Sequence, residues 1–75
     1  MIKQPDFSNL IRDLREITGL SQEKFAAKIG VSFATVNRWE KGHSNPSPLA
    51  IEKVQGMLKR MSEKGRELWK KYFSE

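Results

Sequence analysis

The sequence predicts an all-α domain, compact and built from four to five helices, and two observations carry that prediction. Apolar residues recur at three- and four-residue steps in successive segments, and no segment shows the strict alternation of a half-buried strand. The segments are separated by short stretches marked by Ser, Gly, Asn or Pro, so the connections are tight. A chain of 75 residues makes one domain, residues 1–75. It lies near the lower limit at which a single hydrophobic core suffices without metal or disulfides, and it leaves little room for a large substrate cavity.

The first helix opens at Asp6, a side chain suited to capping. It carries Phe7, Leu10, Ile11, Leu14 and Ile17 as an apolar stripe and stops at Gly19. From Leu20 to Gly42 the chain reads as two short helices around one corner. Phe25, Ala26 and Ile29 fall at helical spacing, Gly30 ends that run, and Val36 and Trp39 resume the spacing. Ser21 and Ser32 each stand immediately before a helix, where a hydroxyl can accept from an orphaned backbone N–H. Helices this short must bury a face against each other and against a third element. Ala26 lets the two axes approach, and Val31 can plug the corner.

After Gly42, His43-Ser44-Asn45-Pro46 is turn-rich, and Ser47-Pro48 reads as an N-cap followed by proline at the first helical position. The fourth helix, about 48–61, buries Ile51, Val54, Leu58 and Met61, with Gly56 weakening its middle by about 1 kcal/mol relative to alanine. From about 62 to 73, Gly65, Leu68, Trp69, Tyr72 and Phe73 share one face, and Lys64, Arg66, Lys70 and Lys71 mostly the other. That segment is either a fifth helix or a bent continuation of the fourth.

The formal charge is +5 with a pI near 9.8, which favours a polyanionic partner. Charge is balanced over residues 1–19, +2 over 20–48 and +3 over 49–75. Many cations of the last third serve as solvated helix faces. The absence of cysteine excludes a disulfide framework, a thiol nucleophile and a thiolate zinc site. His43 stands alone in a polar loop, and no Ser/His/acid set or carboxylate cluster is present, so neither a metal site nor catalysis is expected. No cofactor is implied. The N-terminal Met1 to Asp6 lacks the apolar run of a signal peptide, and no stretch approaches the roughly 20 apolar residues of a membrane span. A soluble, cytoplasmic, nucleoid-associated protein with no membrane partner is the expectation.

Taken together, Gln22, Phe25, Ala26, Ile29, Gly30, Val31, Val36 and Trp39, preceded by Leu20-Ser21-Gln22-Glu23 and closed by Arg38-Trp39-Glu40-Lys41-Gly42, resemble the phage-repressor, Cro-like (XRE) helix-turn-helix proteins. The resemblance covers about residues 7 to 61 and is densest from Gln22 to Gly42. It implies a lambda-repressor-like fold with a helix-turn-helix core over 21–41. It also implies that helix 22–29 crosses a DNA backbone while helix 33–41 lies in the major groove of double-stranded DNA.

On that likeness Gln22, at a helix N-terminus, holds a phosphate. Val36 and Trp39 face inward, which turns Ala34, Asn37, Arg38 and Lys41 outward with Phe33 and Thr35 on the flanks. Phe33 and Ala34 can pack on thymine methyls, although Phe33 can instead fold back over the corner. Thr35 can touch a methyl or a phosphate. Arg38 can pair with guanine or bind a phosphate, and Asn37 can pair with adenine or a phosphate. Lys41, Ser44 and Asn45 fit backbone contacts. Trp39 reads as core, and Arg15 and Glu40 occupy positions that pair as ions in relatives, tying the first helix to the end of the third.

Three functions follow. The first is a sequence-specific DNA-binding transcriptional regulator, repressor-like, of a kind whose relatives usually bind as two-fold dimers. The second is an antitoxin or adaptor that binds a protein through Leu68, Trp69, Tyr72 and Phe73. The third is the DNA-targeting domain of a larger DNA-processing enzyme. The aromatic stripe itself either covers the bundle or offers a surface to a second chain.

Overall fold

Five helices form where the apolar stripes fall, and polar side chains start four of them. A computed structural model of the chain describes residues 6–73. The N-terminal segment read for a leader lies mostly outside those residues.

Helix α1 spans Phe7–Thr18, and the Asp6 carboxylate accepts from the Asn9 backbone N–H. Helices α2 (Gln22–Ile29), α3 (Phe33–Glu40) and α4 (Pro48–Arg60) are opened in the same way by Ser21, Ser32 and Ser47, each accepting from the backbone N–H three residues on. Pro48 takes the first turn of α4, where its missing N–H would have had no partner. Helix α5 spans Ser62–Phe73 and is a separate helix. Among the described residues there is no strand.

The corner between α2 and α3 depends on Gly30, whose φ of +84° is left-handed and disfavoured for any residue with a Cβ. Its N–H and that of Val31 both donate to the Ala26 carbonyl, closing α2 before α3 begins. Helix α3 stops one residue earlier than the periodicity predicts. Lys41 is its C-cap, and the His43 and Gly42 N–H groups fold back on the Arg38 and Trp39 carbonyls.

All five helices contribute to one core: Phe7, Leu10, Ile11 and Leu14 from α1, Phe25, Ala26 and Ile29 from α2, Val36 and Trp39 from α3, Ala50, Val54 and Leu58 from α4, and Leu68 from α5. Trp39 is core, as its inward position predicts. Val31 packs against the cluster from the corner. Ile17, expected in the α1 stripe, is instead 37% exposed, in the last turn of α1.

The aromatic stripe of α5 is spent on the bundle. Leu68 is buried, Trp69, Tyr72 and Phe73 pack against the core, and the Phe73 ring stands 6.3 Å from that of Phe7. Of the two uses left open for these four residues, covering the bundle is the one these contacts serve.

The joint between α4 and α5 is a single tight elbow. Ser62 takes a left-handed φ of 54°, and the Met61 N–H donates to the Leu58 carbonyl. Gly65 sits so close to the end of α4 that a Cβ there would overlap the Leu58 carbonyl oxygen and come within 2.8 Å of the Met61 Cβ. Periodicity left a bent continuation open; the break at Met61 makes α5 a separate helix, with Gly65 packed against the end of α4.

Candidate nucleic-acid interface

Helix α3 is built to be held on one side and open on the other. Val36 and Trp39 are in the core, so the residues between them face away from it. At the N-terminal end, the Ser32 Oγ accepts from the Thr35 N–H at 3.1 Å and lies 2.9 Å from the Thr35 hydroxyl. The cap thus occupies part of the Thr35 side chain. Phe33 is 50% exposed and lies outside the core cluster. Ala34 and Arg38 are exposed, and Thr35 and Asn37 are half-buried. Arg38 makes no ion pair among the described residues.

Gln22, the first residue of α2, reaches this face. Its Nε2 donates to the Asn37 Oδ1 at 3.5 Å, a long hydrogen bond that joins the start of one helix to the middle of the other. Past the end of α3, Lys41 and Asn45 are exposed and Ser44 is half-buried. The structure therefore gathers Phe33, Ala34, Asn37 and Arg38 with Gln22 on the open side of α3. Lys41, Ser44 and Asn45 follow as a separate stretch beyond its end. Among the described residues no group of three or more His, Asp or Glu side chains is placed to hold a metal ion.

The far end of α3 is fixed by α1. Glu40 is 5% exposed, and its carboxylate receives Arg15 Nε at 2.6 Å and Nη2 at 3.0 Å in a two-pronged pair. The Glu40 backbone carbonyl, an acceptor left over at the helix end, takes the Ser8 hydroxyl at 2.8 Å and Arg12 Nη2 at 2.7 Å. Arg15 also donates to the Leu20 carbonyl, which ties the α1–α2 connection to the same group. Burial pushes the Glu40 carboxyl upward, but hydrogen bonding from Arg15 and Gln22, with the charges of Arg15 and Arg12, brings it below the ordinary carboxylate value. The Arg15 guanidinium, hydrogen-bonded to Glu40, is correspondingly raised.

The Arg15–Glu40 pair was expected from the resemblance, but the parts played by Ser8 and Arg12 were missed. A signal existed: Ser8, Arg12 and Arg15 recur at four- and three-residue steps and so share a polar stripe along α1.

A family model described as helix-turn-helix matches residues 11–61, more than half of the chain, and spans α2, α3, α4 and the last two thirds of α1. No curated protein and no solved structure matches the chain. With five helices, a glycine corner between α2 and α3, and an outward-facing α3 anchored by α1, the chain belongs to the Cro-like (XRE) family of helix-turn-helix proteins, in a lambda-repressor-like fold whose implied partner is DNA.

Proposed function

We propose that this chain binds double-stranded DNA sequence-specifically and acts as a transcriptional regulator, repressing by occupying promoter DNA. The observation that carries the proposal is the asymmetry of α3. Its inner face and C-terminal end are locked to α1, while Phe33, Ala34 and Arg38 stand exposed on the other side. A groove-reading helix needs that combination, because base contacts discriminate only when the helix is held at a fixed angle.

In this reading Phe33 and Ala34 supply apolar contact to thymine methyls, with Thr35 beside them, and Asn37 and Arg38 meet base edges. Gln22 holds a phosphate at the N-terminus of α2 while steadying Asn37. Lys41, Ser44 and Asn45 bind the backbone beyond the groove. The protein works in the cytoplasm at the nucleoid, as a two-fold homodimer on half-sites about one helical turn apart. No catalysis is assigned to it.

Selection of binding sites from a random duplex library, repeated at two salt concentrations with competitor DNA, tests the reading. An enriched motif is the expected result. Weak binding with steep salt dependence and no motif would reduce the protein to electrostatic affinity and remove the regulator reading. Arg38→Ala then relaxes preference at one base pair if Arg38 reads guanine, a loss of about 1–3 kcal/mol at that position. A uniform loss across sequences would reassign Arg38 to phosphate.

A further inference from the structure

Where α5 meets the end of α4, the elbow leaves a cavity of about 290 Å³ lined by Leu58, Lys59, Ser62, Gly65, Arg66 and Trp69. Leu58 and Gly65 are buried and form its base, Trp69 is half-buried, and Lys59, Ser62 and Arg66 are exposed at its rim. The Trp69 ring is held from its own helix by Phe73, with the two ring centroids 5.2 Å apart.

The charges around this cavity are of one sign. Lys59 and Arg66 line it, and among the described residues no carboxylate does. In a continuous helix Lys59 would meet Glu63 one turn on, but α4 ends at Arg60 and the two form no ion pair. The Lys59 ammonium stands over the Trp69 ring, 5.7 Å from its centroid. Arg66 has no ion-pair partner among the described residues. Two cations without a counter-charge, set beside an aromatic wall and an apolar base, match a ligand that is apolar at one end and negative at the other.

We infer that this cavity binds a small aromatic carboxylate. Its ring lies between Leu58 and Trp69 over the bare backbone of Gly65, and its carboxylate meets the Arg66 fork, with the Lys59 ammonium and the Ser62 hydroxyl as further donors. The size fits, because a cavity of about 150 Å³ already takes benzene, so this one admits one or two fused rings with their acid group. A peptide helix, about 10 Å across, is too broad for it. A DNA backbone would meet the cations and leave Leu58 and Trp69 unused. With Trp69 steadied by Phe73 and Lys59 already gathered onto the ring, binding has little left to order.

The inference stands apart from the DNA reading, and its test uses no DNA. The purified full chain is titrated with naphthoate and followed by NMR of the indole N–H groups of Trp39 and Trp69, of which Trp39 is buried in the core and serves as the internal control. The Trp69 signal should move and saturate with a Kd on the order of 0.1 mM while Trp39 stays in place. Naphthamide, which has the rings without the charge, and acetate, which has the charge without the rings, should each bind at least about tenfold more weakly. Arg66→Gln, at an exposed position, should leave the melting temperature unchanged and weaken naphthoate about tenfold. The absence of a saturable shift at Trp69 overturns the inference. So does naphthamide binding as tightly as naphthoate, which would leave only an apolar crevice, or acetate doing so, which would leave only a charged surface. An affinity indifferent to Arg66→Gln overturns it as well. If that variant disturbs the fold, Lys59→Gln decides by the same measure.

Discussion

Helix α1 carries two polar anchors, and they hold their partners by different means. On one side Ser8, Arg12 and Arg15 close on Glu40 at the end of α3, with the carboxylate buried and doubly paired. On another, Asp13 meets Tyr72 and Lys71 of α5, with Asp13 half-buried and Lys71 largely in solvent. A charge withdrawn from water must be fully satisfied, so the first anchor tolerates only one geometry. A charge left at the surface is screened and adaptable, so the second leaves the position of α5 to apolar packing. The helix whose angle matters for reading DNA is the one given the buried anchor.

The largest effect should come from breaking the buried anchor. Arg15→Ala leaves Glu40 desolvated with only Gln22 and Arg12 to offset the burial, and it should cost about 3 kcal/mol of unfolding free energy in a denaturant melt. The pH dependence sharpens this. Glu40 titrates below its ordinary value of 4.5 in the folded chain, so its contribution is complete above that pH and is lost as pH falls through the lowered native value. In Arg15→Ala, burial dominates and the carboxyl moves up instead. The stability gap between parent and variant should therefore begin to narrow above pH 4.5, where the raised carboxyl of the variant takes up its proton, and close as pH falls through the lowered value of the parent. A gap that stays constant would mean that Arg15 acts through packing alone.

Next comes the elbow that brings α5 onto α1 at all. Gly65→Ala places a methyl group against the Leu58 carbonyl and the Met61 side chain, and the helix ends can separate only by giving up core contact. A loss of about 2 kcal/mol is expected, in the range for overpacked sites. Because Leu68 and Phe73 carry α5 into the core, near-ultraviolet circular dichroism of the aromatic residues should change with it. If the variant is as stable as the parent, the close approach at Gly65 is not what holds α5 in place.

These two regions also differ in how far they were legible in the sequence. The caps at Asp6, Ser21, Ser32 and Ser47, the corner at Gly30 and the core stripes follow from local chemistry, and the structure contains them with Ile17 as the exception. The Arg15–Glu40 pair was foreseen only through the family resemblance. Periodicity places each of those residues on a helix face but says nothing of which faces meet. Ser8 and Arg12 escaped notice for the same reason: an exposed polar stripe and a stripe that caps a neighbouring helix look alike until the crossing of α1 over α3 is known. At the elbow, Gly65 was read as part of an aromatic face, whereas its use is an approach to α4 that only the packed structure reveals. Ser62 in a left-handed conformation carries no sequence signal, since serine rarely adopts it.

The smallest effects belong to the exposed anchor, and they separate its two members. Tyr72 donates to the Asp13 Oδ2 at 2.6 Å, and Lys71 Nζ reaches the same oxygen at 3.2 Å. The Tyr72 hydrogen bond is the main cause holding the Asp13 carboxyl below its ordinary value, ahead of the contribution of Lys71. Tyr72→Phe keeps the ring in place and removes only the donor, so it should cost about 1 kcal/mol and let the Asp13 pKa rise, as followed by NMR titration of its carboxyl carbon. Lys71→Met removes a solvated cation and should leave the melt unchanged within error, with a smaller movement of Asp13. Should Lys71→Met prove the more damaging, the surface ion pair would be anchoring α5, and the contrast with the buried anchor would collapse. The expected order follows from solvent: the tyrosine hydroxyl is half-buried beside its acceptor, while the lysine ammonium can trade Asp13 for water at almost no cost.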